Sequence, residues 1–83
     1  MPKPQVSIDG YRSASEPDVA YVTVTTVEGE TLYAAVRVTV KRRRVRADVS
    51  HFETPDGEYV DDASLTKHVQ KWLTSRWNSL PTR

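Results

Sequence analysis

The chain contains no cysteine, which excludes disulfide bonds, zinc sites built from thiolates and cysteine nucleophiles. Only three residues are glycine, and they form neither a phosphate-binding loop nor a dinucleotide fingerprint. No apolar run approaches the roughly 20 residues of a membrane-spanning helix. The opening Met-Pro-Lys-Pro also lacks the apolar core of a signal peptide. We therefore expect a cytoplasmic, soluble protein with no membrane partner.

Eighty-three residues are enough for one small domain with a single modest core. At the usual stability per residue, the free energy of unfolding should be about 4–12 kcal/mol. We expect a monomer or homodimer in which residues 1–83 form one domain. That domain would comprise a weakly patterned segment over 1–18, a three-stranded meander over 19–52 and a helix over 61–80.

Positive charge is concentrated in one stretch, Lys41-Arg42-Arg43-Arg44-Val45-Arg46, although the net charge of the whole chain is only +1. This stretch holds five cations in six residues, whereas residues 53–62 hold five acids and no base. Such alternation makes a dipolar surface that can steer a charged partner. The other interpretation is that the blocks neutralise one another in the fold.

Two segments, Val19–Thr26 and Thr31–Val40, are rich in β-branched and aromatic residues, which favours strands. The three residues between them suit a hairpin loop in which Gly29 takes the left-handed conformation. The resulting register pairs Val24 with Leu32 and keeps the apolar even-numbered positions of both strands on one face.

A third strand is predicted over Arg44–Phe52, and pairing Val40 with Val45 keeps its apolar residues on the same core face. The pairs aligned on the opposite face are then Lys41 with Arg44, Thr39 with Arg46, Arg37 with Asp48 and Tyr33 with Phe52. Lys41 and Arg44 would repel each other across the ladder. That repulsion is odd for a purely structural hairpin and favours an anionic partner.

The rest of the chain gives weaker strand signals. Alternation over Gln5–Ile8 suggests an edge strand, whereas Asp9-Gly10 and residues 13–18 indicate a turn and a loop. The turn signal at Thr54–Gly57 allows residues 58–60 to pair back as a short fourth strand.

The C-terminal segment has the pattern of an amphipathic helix. Asp61 is the expected N-cap, with Val60 and Leu65 in the positions of a hydrophobic staple. The apolar stripe of the helix comprises Leu65, Val69, Trp72, Leu73 and Leu80. Trp77 lies about 100° from the centre of this stripe, which leaves two interpretations open: a partly exposed contact for a partner, or a packing role in the core.

The order of elements predicts an α+β fold, an antiparallel β-meander of three to five strands with one C-terminal amphipathic helix packed on one face. The predicted core consists of Val22, Val24, Leu32, Val36, Val38, Val45, Val49, Leu65, Val69, Trp72 and Leu73.

Catalytic signals are weak. His51 and His68 lie on different elements without metal-ligand spacing, and Asp61-Asp62 suits the start of a helix better than a metal pair. We therefore expect no enzymatic activity, no catalytic residue, no metal and no cofactor.

The basic stretch remains as the best indication of function. Arginine binds phosphates through a planar fork, and a two-stranded β-ribbon fits the DNA major groove. The expected phosphate contacts are Lys41, Arg42, Arg43, Arg44 and Arg46, with Arg37 as a reader of base edges and Tyr33, Thr39 and Trp77 as auxiliary contacts. The alternatives are an acidic protein surface as the partner, or cations that only keep an exposed edge soluble.

The order of strands and helix over Val19–Trp77 resembles the arm-site DNA-binding domains of phage-type integrases and the methyl-DNA-binding domains. That resemblance implies a sheet that enters the major groove. Small cysteine-free α+β proteins are also typical of phage and mobile elements, where anti-CRISPR proteins inhibit host machinery by occupying a partner's surface. Such an inhibitor would use either the acidic segment 53–62 or the basic stretch.

Overall fold

A computed structural model describes residues 6–83. The elements are β1 (Ser7–Arg12), β2 (Val19–Thr25), β3 (Thr31–Lys41), β4 (Arg44–Val49), β5 (Phe52–Glu53), β6 (Tyr59–Val60) and α1 (Ala63–Arg76), followed by a 3₁₀ turn over Trp77–Ser79. The strands form one antiparallel sheet in the order β1-β2-β3-β5-β6, and β4 pairs beside β5 along the same edge of β3. The predicted α+β fold with a C-terminal helix is confirmed.

The registers of the two central hairpins are those expected from the sequence. Val24 lies opposite Leu32 in the β2–β3 ladder, and Lys41 lies opposite Arg44 in the β3–β4 ladder. In both ladders the alternating apolar residues specify the register, because a slip of one residue would turn every one of them to solvent.

The third predicted strand is interrupted, so the expected pairing of Tyr33 with Phe52 is wrong. Strand β4 ends at Val49, β5 begins at Phe52, and Tyr33 pairs with Glu53 instead. One extra residue at Ser50-His51 shifts the register, as a β-bulge does. The shift turns Phe52 into the core, where its side chain is 0% exposed.

Strand β1 begins within the predicted edge strand and continues through the predicted turn. Asp9 and Gly10 lie inside β1, paired with Thr23 and Val22, whereas the predicted loop over 13–18 is confirmed. A Cβ on Gly10 would lie 2.9 Å from the carbonyl oxygen of Tyr21 and 3.5 Å from the ring of Trp72. The glycine therefore serves close packing instead of chain reversal. Gln5, the first residue of the predicted edge strand, lies outside the described residues.

The β2–β3 and β5–β6 loops share the pattern Thr-x-x-Gly-Glu, at residues 26–30 and 54–58. In each loop the threonine hydroxyl accepts a hydrogen bond from the N–H of the glutamate, at 3.1 Å and 3.0 Å respectively. Gly29 and Gly57 have φ values of 85° and 87°, a backbone region that favours glycine. Both predicted turns and the short strand β6 are thus confirmed.

The helix begins one residue later than expected. Asp62, and not Asp61, is the N-cap, and its carboxylate accepts a hydrogen bond from the N–H of Leu65 at 3.0 Å. The staple positions then fall on polar residues, so the predicted staple is wrong, although Val60 and Leu65 both pack on the core.

The core lies between α1 and one face of the sheet. Its buried members are Ala20, Val22, Val24, Leu32, Ala34, Val36, Val38, Ala47, Phe52, Leu65, Val69, Leu73 and Trp77. Val45, Val49 and Trp72, which were expected in this set, are only partly buried around it.

Trp77 is 5% exposed, so its predicted role as a contact for a partner is wrong. The α-helix gives way to a 3₁₀ turn at this residue, which changes the angle at which the side chain leaves the axis. The Arg12 guanidinium then lies 4.5 Å from the centre of the Trp77 ring, and Arg12 also pairs with the C-terminal tail at Thr82.

Candidate functional site

One face of the sheet carries α1, and none of the described elements covers the other, which we call the open face. All four tyrosines lie on the open face, toward one end of the sheet. Three of them are substantially exposed: Tyr21 at 39%, Tyr33 at 45% and Tyr59 at 72%. The other end of the open face is formed by the β3–β4 hairpin and its cations.

We define the basic hairpin as Lys41, Arg42, Arg43, Arg44 and Arg46, all of which are exposed. Lys41 and Arg44 face each other across the ladder, as predicted. Arg46 has a carboxylate partner, Asp48, with Nε and Oδ1 3.4 Å apart. Within residues 6–83, the other four cations of the basic hairpin make no ion pair.

The turn of the basic hairpin has an unusual backbone for its residues. Arg42 and Arg43 have φ values of 49° and 69°, and together they form the two-residue loop between β3 and β4. Positive φ at both central positions is the feature of a type I′ turn, which Asn-Gly adopts most readily. For a side chain with a Cβ, each left-handed residue costs roughly 1–2 kcal/mol.

This strain leads to a stability prediction. Changing Arg42→Asn together with Arg43→Gly should raise the free energy of unfolding by about 1–2 kcal/mol, because the turn is kept and its strain is relieved. Urea denaturation with an unchanged slope would measure the gain. The matched control is Arg42→Ala with Arg43→Ala, which removes the same charges and keeps both Cβ atoms. Equal midpoints for the two double variants would contradict the prediction.

The acidic segment does not neutralise the basic hairpin. The loops over 26–30 and 54–58 lie at the opposite end of the sheet from the β3–β4 turn, because β3 separates them. An 11-residue strand such as β3 spans about 36 Å at its usual rise. Among the described residues, the two ion pairs formed by arginine join Arg37 to Asp18 and Arg46 to Asp48. The charge blocks are therefore separated in space.

Three adjoining depressions run along the open face. The first has a volume of ≈ 500 Å³ and is bordered by Tyr11, Tyr21, Tyr33 and His51 around Ala35. The second shares Tyr21, Ala35 and Ser50 with the first and reaches Arg37 and Asp48. The third shares Asp48 with the second and is bordered by Thr39, Lys41, Arg42, Arg44 and Arg46. Because neighbouring depressions share lining residues, the three lie in a row from the tyrosines to the basic hairpin, and we call this row the trough.

The trough brings together most of the predicted contact residues. Tyr33, Arg37, Thr39, Lys41, Arg44 and Arg46 lie along it, and Arg42 and Arg43 lie at its end in the turn. The exception is Trp77, which is buried in the core.

Three further aromatic side chains that border the trough were not among the predicted contacts: Tyr11, Tyr21 and His51. The register of β2 already placed Tyr21 on the open face, so alternation was a sufficient signal there. Tyr11 required the continuation of β1 beyond Ile8, and His51 required the bulge, and the sequence pattern indicates neither of these two features.

The two histidines lie on different elements and have different surroundings. His51 stacks on Tyr59 with ring centres 4.1 Å apart, and its Nε2 lies 3.4 Å from Oε1 of Glu53. His68 is exposed on α1. Within the described part of the chain, no three His, Asp or Glu side chains are grouped so that they would hold a metal ion.

No family model, curated protein or solved structure matches the chain. The resemblance in element order to integrase and methyl-DNA-binding domains therefore has no matching structure to support it. Over residues 6–83 there is also no helix with the length and apolar character needed to cross a membrane.

Proposed function

We propose that the protein is a non-enzymatic binding module that contacts nucleic acid through the basic hairpin. The observation that carries the proposal is the group Lys41, Arg42, Arg43 and Arg44, exposed at one end of the sheet and, among residues 6–83, without a carboxylate partner. A polyanion supplies the missing counter-charges, and guanidinium groups bind phosphate oxygens two at a time.

The strained turn also supports a binding role. An Asn-Gly pair would form the same turn with less backbone strain. The two arginines therefore lower the free energy of unfolding at these positions. Residues that break a local rule in this way are concentrated at functional sites. Opposed Lys41 and Arg44 add repulsion that an anion between them would relieve.

The side chains of the open face have distinct roles in this proposal. The basic hairpin contacts phosphates, which gives affinity with little dependence on sequence. Arg37 is the candidate reader of base edges, because its side chain lies in the trough. Its ion pair with Asp18 is exposed to solvent, so the guanidinium is accessible to a ligand. Thr39 donates hydrogen bonds from the floor between the cations, and Tyr33 offers a ring for stacking.

Fluorescence anisotropy with labelled duplex DNA, single-stranded DNA and RNA tests the proposal. We expect binding at low ionic strength, and weaker binding in the Arg42→Ala, Arg43→Ala, Arg44→Ala triple variant, which keeps Lys41 and Arg46. For a comparison at equal charge, Arg42→Ala with Arg43→Ala is set against Lys67→Ala with Lys71→Ala, which removes two cations from exposed positions on α1. Only the first double variant should lose affinity. Absence of binding to all three nucleic acids at low salt would exclude the proposed function.

The separated acidic end favours one second candidate. A phage or mobile-element inhibitor of the anti-CRISPR kind would occupy a partner protein's surface, and the exposed loops over 26–30 and 54–58 suit a basic groove on such a partner. Asp56→Asn with Glu58→Gln would weaken that interaction. The same variant would leave binding of an oligonucleotide to the basic hairpin intact, which separates the two candidates.

A further inference from the structure

We infer that the tyrosine end of the trough takes unpaired bases, so that the target is a single-stranded nucleic acid. This inference rests on the proposed function, because the basic hairpin must hold the phosphates of the same strand. It adds the class of nucleic acid and a second set of contacts, and it differs from a ribbon inserted into the major groove of a duplex.

The spacing of two tyrosines suits a base between them. Tyr21 lies opposite Ala35, and Tyr33 precedes Ala35 by two residues on β3, so the two tyrosines are diagonal neighbours. The Cα atoms of diagonal neighbours in an antiparallel ladder lie about 7–8 Å apart, and their side chains project from the same face. Stacked bases are separated by about 3.4 Å, so a flat ring needs about twice that distance between two aromatic faces.

A small side chain keeps this space open. Ala35 is exposed on the open face beside both tyrosines and lines the first depression with them. Every larger side chain at this position would fill the floor of the trough. The methyl group of alanine leaves the flanking rings accessible to a ligand.

Neighbouring aromatic rings hold the walls of the trough in place. The Tyr11 and Tyr21 rings are tilted against each other with centres 5.5 Å apart. His51 stacks on Tyr59, and its Nδ1 lies 3.1 Å from the hydroxyl of Ser50. Aromatic walls positioned by their neighbours lose little freedom when a base stacks on them.

The length of the trough and the different side chains at its two ends indicate the class of ligand. Tyr33 and Lys41 are eight residues apart on β3, which corresponds to about 26 Å along the strand. A ligand that uses both ends must present flat aromatic faces at one end and negative charge at the other. In a duplex the base faces are covered by stacking on the neighbouring base pairs, whereas a single strand exposes both its bases and its phosphates.

Three probes of equal length separate stacking from charge: oligo-dT, oligo-U and a strand of abasic sites, which has the phosphates without the bases. A duplex is the fourth probe. Wild-type protein should bind oligo-dT or oligo-U more tightly than the abasic strand by about 5- to 150-fold for each stacked base. The comparison of oligo-dT with oligo-U distinguishes DNA from RNA as the source of the strand.

Variants of the trough complete the test. Tyr21→Thr with Tyr33→Thr removes both rings and keeps residues that favour strands, so the protein stays folded. This variant should bind oligo-dT no better than the abasic strand, and Tyr21→Phe with Tyr33→Phe should restore wild-type affinity. Ala35→Ile fills the floor without removing a contact group and should lower oligo-dT affinity to the same level.

The outcomes separate the two proposals. Equal affinity of the wild type for oligo-dT, oligo-U, the abasic strand and the duplex would overturn the inference and leave the basic hairpin as a phosphate site. Unchanged affinity in both the Thr variant and Ala35→Ile would overturn it as well. No binding to any of the four probes at low salt would overturn the proposed function itself, and an acidic protein surface would then be the partner to test.

Discussion

Truncation of Phe52 to alanine is expected to lower the free energy of unfolding by about 3–5 kcal/mol. Phe52 is among the largest fully buried side chains of the core, and β5, the strand that carries it, is only two residues long. The whole domain should have only about 4–12 kcal/mol of stability at 0.05–0.15 kcal/mol per residue. The loss would therefore be about a quarter or more of the total, and the urea midpoint of the variant should lie well below that of the wild type.

Urea denaturation followed by circular dichroism would measure this loss. Tyr59→Ala is the matched control, because Tyr59 is an aromatic residue of the paired strand β6 and is 72% exposed. The free energy of unfolding of this control should fall by less than about 1 kcal/mol. If Phe52→Ala unfolds at the wild-type midpoint, the placement of the Phe52 side chain in the core by the bulge is contradicted.

The affinity for a single strand is expected to fall about 100-fold between roughly 50 and 200 mM salt. Each phosphate that is neutralised on a single strand contributes about −0.7 to the slope of log affinity against log salt. The basic hairpin has five cations, which gives a slope of about −3.5. The triple variant retains Lys41 and Arg46, so its slope should be about −1.4. Its affinity should therefore fall only about sevenfold over the same change in salt concentration.

Anisotropy titrations at four or five salt concentrations would give both slopes. Lys67→Ala with Lys71→Ala should keep the wild-type slope, because both lysines lie on the helix, whose packed side covers the face of the sheet opposite the trough. A triple variant with the wild-type slope would show that the phosphate contacts lie elsewhere on the protein.

Strand pairing was predictable where apolar residues alternate along two neighbouring strands, with a turn signal in the first hairpin only. The β2–β3 register followed from the apolar even-numbered positions and from Gly29, and the β3–β4 register followed from Val40 and Val45. Strand β1 was not predictable in full, because Gly10 in a polar segment is typical of a turn. In the structure this segment pairs with β2, and the ring of Trp72, from a helix far along the chain, lies close to Gly10.

Only half of the candidate site was visible in the sequence. The basic hairpin is a local feature, since five cations in six residues on a β-hairpin need no tertiary information. The trough depends on the whole sheet. Tyr11 and His51 join Tyr21 only when β1 has paired with β2 and the bulge has turned Ser50 and His51 toward the open face.

The separation of charge along β3 has a consequence for how the protein approaches a partner. Opposite charges about 36 Å apart at the ends of an 11-residue strand give the molecule an electric dipole, so the field of a polyanion exerts a torque on it before contact. The hairpin end then leads and the acidic end trails, which reduces the number of unproductive collisions. At physiological ionic strength the screening length is about 8 Å, so this orientation acts only within the last nanometre of the approach.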